Sequence, residues 1–168
     1  MGAHYVLTAS IHENVVSNWN WIEALIASVP IAILVMLIVW INQFQDAPSD
    51  AAVGKNTWVV RTAEQGEWMK LEKPLRLYKQ FMIEAFIAVA LVGALSFFTD
   101  FGTVYAFMAL IPLALVWKAF KMADEWMIKW NNPNADRQKV PYELLLVNVS
   151  TIGIHFLTGI LLAVAYIL

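Results

Sequence analysis

Two aspartates followed by a lysine and an arginine are the residues of this sequence whose types and spacing best suit chemistry. Asp46 and Asp50 are four residues apart, so on a helical turn they share one face and repel each other. Two carboxylates held together favour a divalent cation, and Mg²⁺ prefers oxygen ligands and commonly joins carboxylates to phosphates. Lys55 and Arg61 follow within reach of such phosphates, and Asn42 can add an amide oxygen or donor. The run therefore indicates a magnesium and phosphate site.

A plainer interpretation of the same run is a solvated polar loop that follows a transmembrane helix. Pro48 and Gly54 are typical breakers in such a loop. For a pair of aspartates four apart, taken alone, the solvated loop is the favoured interpretation. The longer combination, from Asn42 through Arg61, is less common and favours a binding site.

The composition restricts the class of protein that carries this run. Hydrophobic residues make up 60% of the 168 residues and charged residues only 14%, and the mean hydropathy is +0.61. So few charges could not cover the surface of a soluble globular enzyme, and so apolar a chain is not disordered. A net charge of −2 argues against nucleic-acid binding. The chain has no cysteine, which excludes disulfides and thiolate metal sites.

Hydropathy predicts an all-α, polytopic membrane bundle of about four transmembrane helices in a single domain, 1–168. A span needs about 20 apolar residues to cross ~30 Å of hydrocarbon. The predicted spans cover residues 22–41, 78–98, 101–120 and 144–168, and Asp100 and Gly102 mark a short turn between the second and the third. The stretch 1–17 is apolar but too short to span, so we interpret it as an outer, interfacial segment. The connections 42–77 and 121–143 are the long loops.

The distribution of basic residues predicts the orientation. All eleven Lys and Arg lie in, or at the edges of, the two long connections, and both ends of the chain have none. Basic loops stay in the cytoplasm. We therefore expect an integral protein of the cytoplasmic (inner) membrane, with both termini outside and both basic loops in the cytoplasm.

Two ionisable residues fall inside predicted spans. Glu84 lies in the second span and His155 in the fourth. Such groups are costly when they face lipid, so we expect them to face a protein interface or a polar cavity. For His155, an interhelical hydrogen bond is favoured over a role as a metal ligand, because a lone histidine makes a poor metal site.

The run resembles the second aspartate-rich motif of the UbiA superfamily of intramembrane prenyltransferases, in particular the 1,4-dihydroxy-2-naphthoate prenyltransferase type. That motif has an Asn, then DxxxD, then a GK and Thr segment and a VVR stretch. The matching positions here are Asn42, Asp46, Asp50, Gly54, Lys55, Thr57, Val59, Val60 and Arg61. Gly2–Thr8 and Ala27–Pro30 also resemble segments that precede the motif. The resemblance by motif thus extends from near the start of the chain to about Arg61.

The resemblance implies a fold, a cofactor and a reaction. The family fold is a helical bundle, usually of nine spans, with a cavity open to the cytosolic side. Mg²⁺ held by two aspartate-rich motifs binds the diphosphate of a polyprenyl donor, which transfers its prenyl group to an aromatic acceptor. By position, Asp46 and Asp50 would bind Mg²⁺, while Lys55, Arg61 and Asn42 would bind the diphosphate. Positive charge there would stabilise the leaving group as its bond breaks.

The chain also departs from the family pattern, and two hypotheses follow. It matches the C-terminal half of the family bundle, and the first aspartate-rich motif is absent. Under the first hypothesis the chain is half of a split prenyltransferase, and a second membrane chain supplies the missing motif. Under the second it is a non-catalytic accessory subunit of a larger membrane complex, which keeps the motif as a relic or as a contact to an isoprenoid or other lipid.

Overall fold

A computed structural model describes residues 21–63, 67, 69–136 and 139–168 of the chain. In that part, all regular secondary structure is helical, which confirms the predicted all-α bundle. The elements in chain order are α1 (Trp21–Ala52), α2 (Trp58–Thr62), α3 (Glu72–Leu95), a first 3-10 helix (Val104–Leu110), α4 (Leu113–Trp130), a second 3-10 helix (Val140–Leu144) and α5 (Leu145–Ala165). The predicted outer segment 1–17 lies outside the described residues.

Four helical segments of the described chain are long and apolar enough to cross a membrane, the number that hydropathy predicts. They are Ile22–Ala52, Glu72–Leu95, Val104–Trp130 and Val140–Ala165.

The helices continue past the predicted spans at their polar ends. Residues 42–52, which the sequence analysis assigns to a loop, form the last turns of α1. Residues 121–130 likewise continue α4. The difference arises because hydropathy identifies the apolar part of a helix, whereas the backbone stays helical until a residue ends it. Pro48 does not end α1, because a proline removes one hydrogen bond and neighbouring packing can hold the helix together.

α1 packs against α2, α3 and α5. Its fully buried residues Leu34, Leu37, Ile41 and Phe44 recur at spacings of three and four, which places them along one helical stripe. α1 and α5 run antiparallel. Near one end a side chain built on Gly159 would meet Ile31, and nearer the other end Asn42 bonds to α5.

Indole side chains join helices to one another at one end of the bundle. The Trp40 indole N–H donates to Pro74 O at 3.3 Å, and the Trp126 N–H donates to Val140 O at 2.8 Å. Trp126 also packs edge-on against Phe44, with ring centroids 5.9 Å apart. These contacts bring the C-terminal ends of α1 and α4 together with the N-terminal ends of α3 and the second 3-10 helix. We call this the basic end, because most of the described Lys and Arg lie on or next to these segments.

A glycine forms the turn at the opposite end, between α3 and the first 3-10 helix. Gly102 has φ +82, and a Cβ there would lie 2.3 Å from Val92 O. Only a residue without a side chain fits so close to a backbone oxygen in a left-handed conformation. The predicted short turn near Asp100 and Gly102 is therefore present, and the glycine holds it against α3.

Candidate functional site

The predicted site lies where α1 ends and the chain turns into α2. Asn42, Asp46 and Asp50 stand four residues apart on the last turns of α1, so their side chains leave one side of the helix. Gly54 then adopts φ +72, which glycine does without steric cost. The turn lets Lys55 return toward the helix, and its Nζ lies 3.0 Å from Asp50 Oδ1.

The two aspartates have different surroundings. Asp50 is 7% exposed, and its backbone carbonyl accepts a hydrogen bond from the Lys55 N–H at 2.8 Å. Its Oδ2 is buried and has no hydrogen-bond partner among the described residues. Asp46, one turn earlier, is exposed. The pair therefore consists of one exposed carboxylate and one buried carboxylate whose Oδ2 has no partner among the described residues.

Polar side chains beside the aspartates fix α2 against α1. Gln43 Oε1 accepts a hydrogen bond from the Val59 backbone N–H at 3.2 Å, which satisfies a donor at the start of a helix. Gln45 Nε2 and Thr57 Oγ1 are buried and have no partner among the described residues. Sequence reasoning gave Gln43 and Gln45 no role, although two amides at the end of an apolar helix are a usable signal for such contacts.

Arg61 makes no ion pair with either aspartate. It lies in α2, is exposed, and its backbone N–H donates to Thr57 O at 2.9 Å. Val59 and Val60 on the same short helix are buried and hold α2 against the core. In the described ranges the Arg61 guanidinium has no ion-pair partner.

Asn42 faces the interior of the bundle. Its Oδ1 accepts a hydrogen bond from Nδ2 of Asn148 on α5. Asn148 is buried, and its own Oδ1 has no partner in the described part of the chain. Asn42 thus belongs to a contact between α1 and α5. Sequence reasoning missed Asn148, whose signal is a lone amide near the start of the fourth span.

A polar stripe continues along α5 from Asn148. The Thr151 hydroxyl donates to Val147 O at 2.8 Å, so the Tyr78 hydroxyl donates the 2.6 Å hydrogen bond between the two side chains. Thr158 Oγ1, two turns further, is buried without a partner among the described residues. The stripe joins α5 to α1 through one hydrogen bond and to α3 through another.

Glu84 and His155, the ionisable residues inside the predicted spans, differ in their polar contacts. Glu84 is half-buried and accepts a hydrogen bond from Gln80 Nε2, one turn earlier on α3, at 2.8 Å. His155 is half-buried, and its Nδ1 is buried without a partner among the described residues. The interhelical hydrogen bond predicted for His155 is therefore not found in that part of the chain.

The oxygen donors at the end of α1 are of the kind that Mg²⁺ uses. Asp46 is exposed, and Asp50 presents a buried oxygen without a partner. Mg²⁺ usually keeps several waters and is held by one or two carboxylates together with substrate phosphates. The described residues hold no group of three or more His, Cys, Asp or Glu suited to a metal ion. The two aspartates thus supply oxygen donors of the right type, and any further ligands to such an ion would have to be water and a phosphate.

No protein-family model, no curated protein and no solved structure matches this chain. The resemblance to the UbiA superfamily therefore stays a prediction from the sequence motifs.

Proposed function

We propose that this chain is part of an intramembrane prenyltransferase of the UbiA type and binds the magnesium diphosphate group of a polyprenyl donor together with a second membrane chain. The observation that carries the proposal is the buried Asp50 carboxylate. Its Oδ1 is 3.0 Å from Lys55, and its Oδ2 has no partner among the described residues. A buried carboxylate oxygen without a partner is costly, and a metal ligand at that position offsets the cost.

Each motif residue has a role in this proposal. Asp46 and Asp50 hold Mg²⁺, which supplies positive charge to the diphosphate. Lys55 and Arg61 contribute further cations that bind the diphosphate and stabilise it as it leaves. Asn42 acts through the α1–α5 contact, so it positions the end of α1. The second chain supplies the other aspartate-rich motif.

The same proposal assigns the chain an orientation. The basic end faces the cytoplasm of a cell whose inner membrane holds the protein, and both termini lie outside. The rule that basic loops remain in the cytoplasm supports this orientation. A water-soluble phosphate group then reaches Asp46 and Asp50 from the cytoplasmic side.

A second candidate function is a non-catalytic accessory subunit of a larger membrane complex. The observation that favours it is the Lys55–Asp50 ion pair, because Asp50 already has a cationic partner without a metal ion. In that case the motif stabilises the turn between α1 and α2. Asp46 makes no ion pair in the described part of the chain. The two candidates therefore differ in whether replacing Asp46 has any effect on function.

The test replaces each aspartate in the chain purified with its partner from the membrane. We expect Asp46→Ala and Asp50→Ala each to lower magnesium-dependent prenyl transfer to an aromatic acceptor by on the order of 100-fold. The matched control is Asp100→Ala, an exposed carboxylate at the opposite end of the bundle. Full activity of both motif variants would overturn the proposal.

A binding measurement separates the accessory subunit from the enzyme. Mg²⁺ with inorganic pyrophosphate raises the unfolding temperature of a protein that binds it in the folded state. We expect such a rise for the unaltered chain and its loss in Asp46→Asn. If Mg²⁺ and pyrophosphate change the unfolding temperature of neither the unaltered chain nor Asp46→Asn, and the complex stays intact, the accessory subunit is favoured.

A further inference from the structure

A groove runs along the outside of the bundle between α3 and α4, away from the aspartate pair. At the basic end it has a volume of about 420 Å³ and is lined by Lys79, Trp117, Phe120, Lys121, Asp124, Glu125 and Ile128. A second recess of about 260 Å³ is lined by Ile83, Phe86, Ile87, Ala90, Leu110, Leu113 and Val116. Lys79 and Ile83 are one turn apart on α3, so the two recesses follow one another. We call them together the α3–α4 groove.

The length of the α3–α4 groove matches one leaflet of a bilayer. On α3 it extends from Lys79 to Ala90, a helical distance of roughly 16 Å at 1.5 Å per residue. Half of a hydrocarbon core about 30 Å thick is about 15 Å. A second transmembrane helix would need a groove of the full thickness, whereas a lipid chain needs only this length.

The chemistry of the α3–α4 groove changes along its length in the way an amphiphile requires. All lining side chains of the deeper recess are apolar, and Ile83 and Ile87 are each about half exposed. At the basic end, Trp117 is 76% exposed, and tryptophan favours the headgroup layer of membranes. The groove therefore offers a hydrocarbon surface below and a polar, aromatic surface above.

Two charges at the basic end of the groove are free. Lys79 is paired with Asp124 across the groove and stands over the Phe120 ring, 5.6 Å from its centroid. The Lys121 ammonium and the Glu125 carboxylate have no ion-pair partner among the described residues. These two residues lie four apart on α4, so they are neighbours on one helix face. A ligand that carries both a phosphate and an ammonium group would pair with both.

We propose that the α3–α4 groove binds one phospholipid of the phosphatidylethanolamine class. Lys121 pairs with the phosphate, Glu125 pairs with the primary ammonium, and one acyl chain lies along Ile83 and Ile87. A choline headgroup cannot donate hydrogen bonds to Glu125. A glycerol headgroup has no cation, and its lipid brings a net negative charge to a carboxylate. The proposal is independent of the prenyltransferase function.

The test measures lipid binding by native mass spectrometry of the detergent-purified chain. The probes are phosphatidylethanolamine, phosphatidylcholine and phosphatidylglycerol with identical acyl chains. We expect the unaltered chain to bind phosphatidylethanolamine about fivefold more tightly than either of the others, the size of one exposed ion pair. Equal or tighter binding of phosphatidylglycerol would overturn the proposal in favour of a purely cationic site.

Surface variants identify the residues responsible. Lys121→Gln should weaken phosphatidylethanolamine binding about fivefold, whereas Lys73→Gln, an exposed lysine outside the groove, should not change it. Glu125→Gln should abolish the preference over phosphatidylglycerol. The same effect from Lys121→Gln and Lys73→Gln would reject the assigned position.

A third variant tests the apolar part of the groove. Ile87→Trp fills it and should lower the binding of all three lipids. Ile152→Trp is the matched control, because Ile152 is exposed to a similar degree on α5 and lies outside the groove. Unfolding temperatures equal to that of the unaltered chain establish that the variants fold, and unchanged lipid binding by a folded Ile87→Trp contradicts the proposal.

Discussion

Asp46 and Asp50 lie one helical turn apart, yet the first is exposed and the second is 7% exposed. The chain beyond Gly54 turns back beside Asp50, and Lys55 returns with it. An exposed carboxylate keeps its hydration, whereas a buried one needs a cation or donor to replace the lost water. The two aspartates therefore present different surroundings to a ligand, because the turn at Gly54 brings the following chain back beside Asp50.

Gly102 is the single residue whose replacement we expect to destabilise the protein most clearly. Its φ of +82 and the 2.3 Å between a built Cβ and Val92 O leave no space for a side chain. We expect Gly102→Ala to lower the free energy of unfolding by about 2 kcal/mol or more, since the left-handed conformation alone costs about 1–2 kcal/mol. Reversible unfolding in detergent measures this change.

The matched control for Gly102 is Gly153. It lies inside α5, and a Cβ there meets nothing within 4 Å. Alanine is favoured over glycine in a helix interior by roughly 1 kcal/mol, so Gly153→Ala should stabilise the protein or leave it unchanged. A similar loss of stability in both variants would show that the turn at Gly102 is not the cause.

At the scale of elements, α5 joins the other long helices through polar contacts as well as packing. Asn148 reaches Asn42 on α1, and Thr151 bonds to Tyr78 on α3. Inside a membrane no water competes for these polar groups. A helix arrangement that pairs them is therefore favoured over one that leaves them unpaired, and the hydrogen bonds specify which faces of the helices meet. Measured values for such bonds are small, about 0.6 kcal/mol on average.

A double-mutant cycle tests the Tyr78–Thr151 contact. We expect Tyr78→Phe and Thr151→Val to be coupled by about 0.6 kcal/mol, with an upper bound of about 1.7 kcal/mol. Unfolding free energies of the two single variants and the double variant give the coupling. Strictly additive effects would contradict a direct bond between α3 and α5. Tyr78→Phe with Ser150→Ala is the control cycle, because Ser150 bonds only to its own helix.

At the scale of the whole molecule, charge is distributed unevenly between the two ends. Most of the described Lys and Arg lie on or next to the helix ends that meet at the basic end, while the turn at the opposite end holds Asp100. Such an asymmetry sets the orientation of a membrane protein. It also brings the aspartate pair and the charged part of the α3–α4 groove to the same membrane surface.

The absence of cysteine from the sequence makes the orientation easy to measure. In intact cells we expect Asp100→Cys to react with a membrane-impermeant maleimide and Asn132→Cys to react only after permeabilisation. Both positions are exposed, so access to the side chain does not differ between them. The reverse pattern would place Asp46 and Asp50 outside the cell and reject the proposed function.

The sequence by itself determined that the chain is an all-α bundle with four helices able to span a membrane, because hydropathy and length depend only on neighbouring residues. It also identified the turn at Gly102 and the run from Asn42 to Arg61. The positions at which the helices end on their polar side were harder to predict from the sequence. Residues 42–52 are helical despite Pro48.

Only the tertiary structure decided which of these side chains meet. It pairs Asp50 with Lys55, directs Asn42 to Asn148, and leaves Arg61 without an ion-pair partner in the described ranges. Spacing along one helix predicts the face on which a residue lies, but burial depends on the segment that packs across that face. Asn148 is 106 positions from Asn42, and no local pattern specifies so distant a partner.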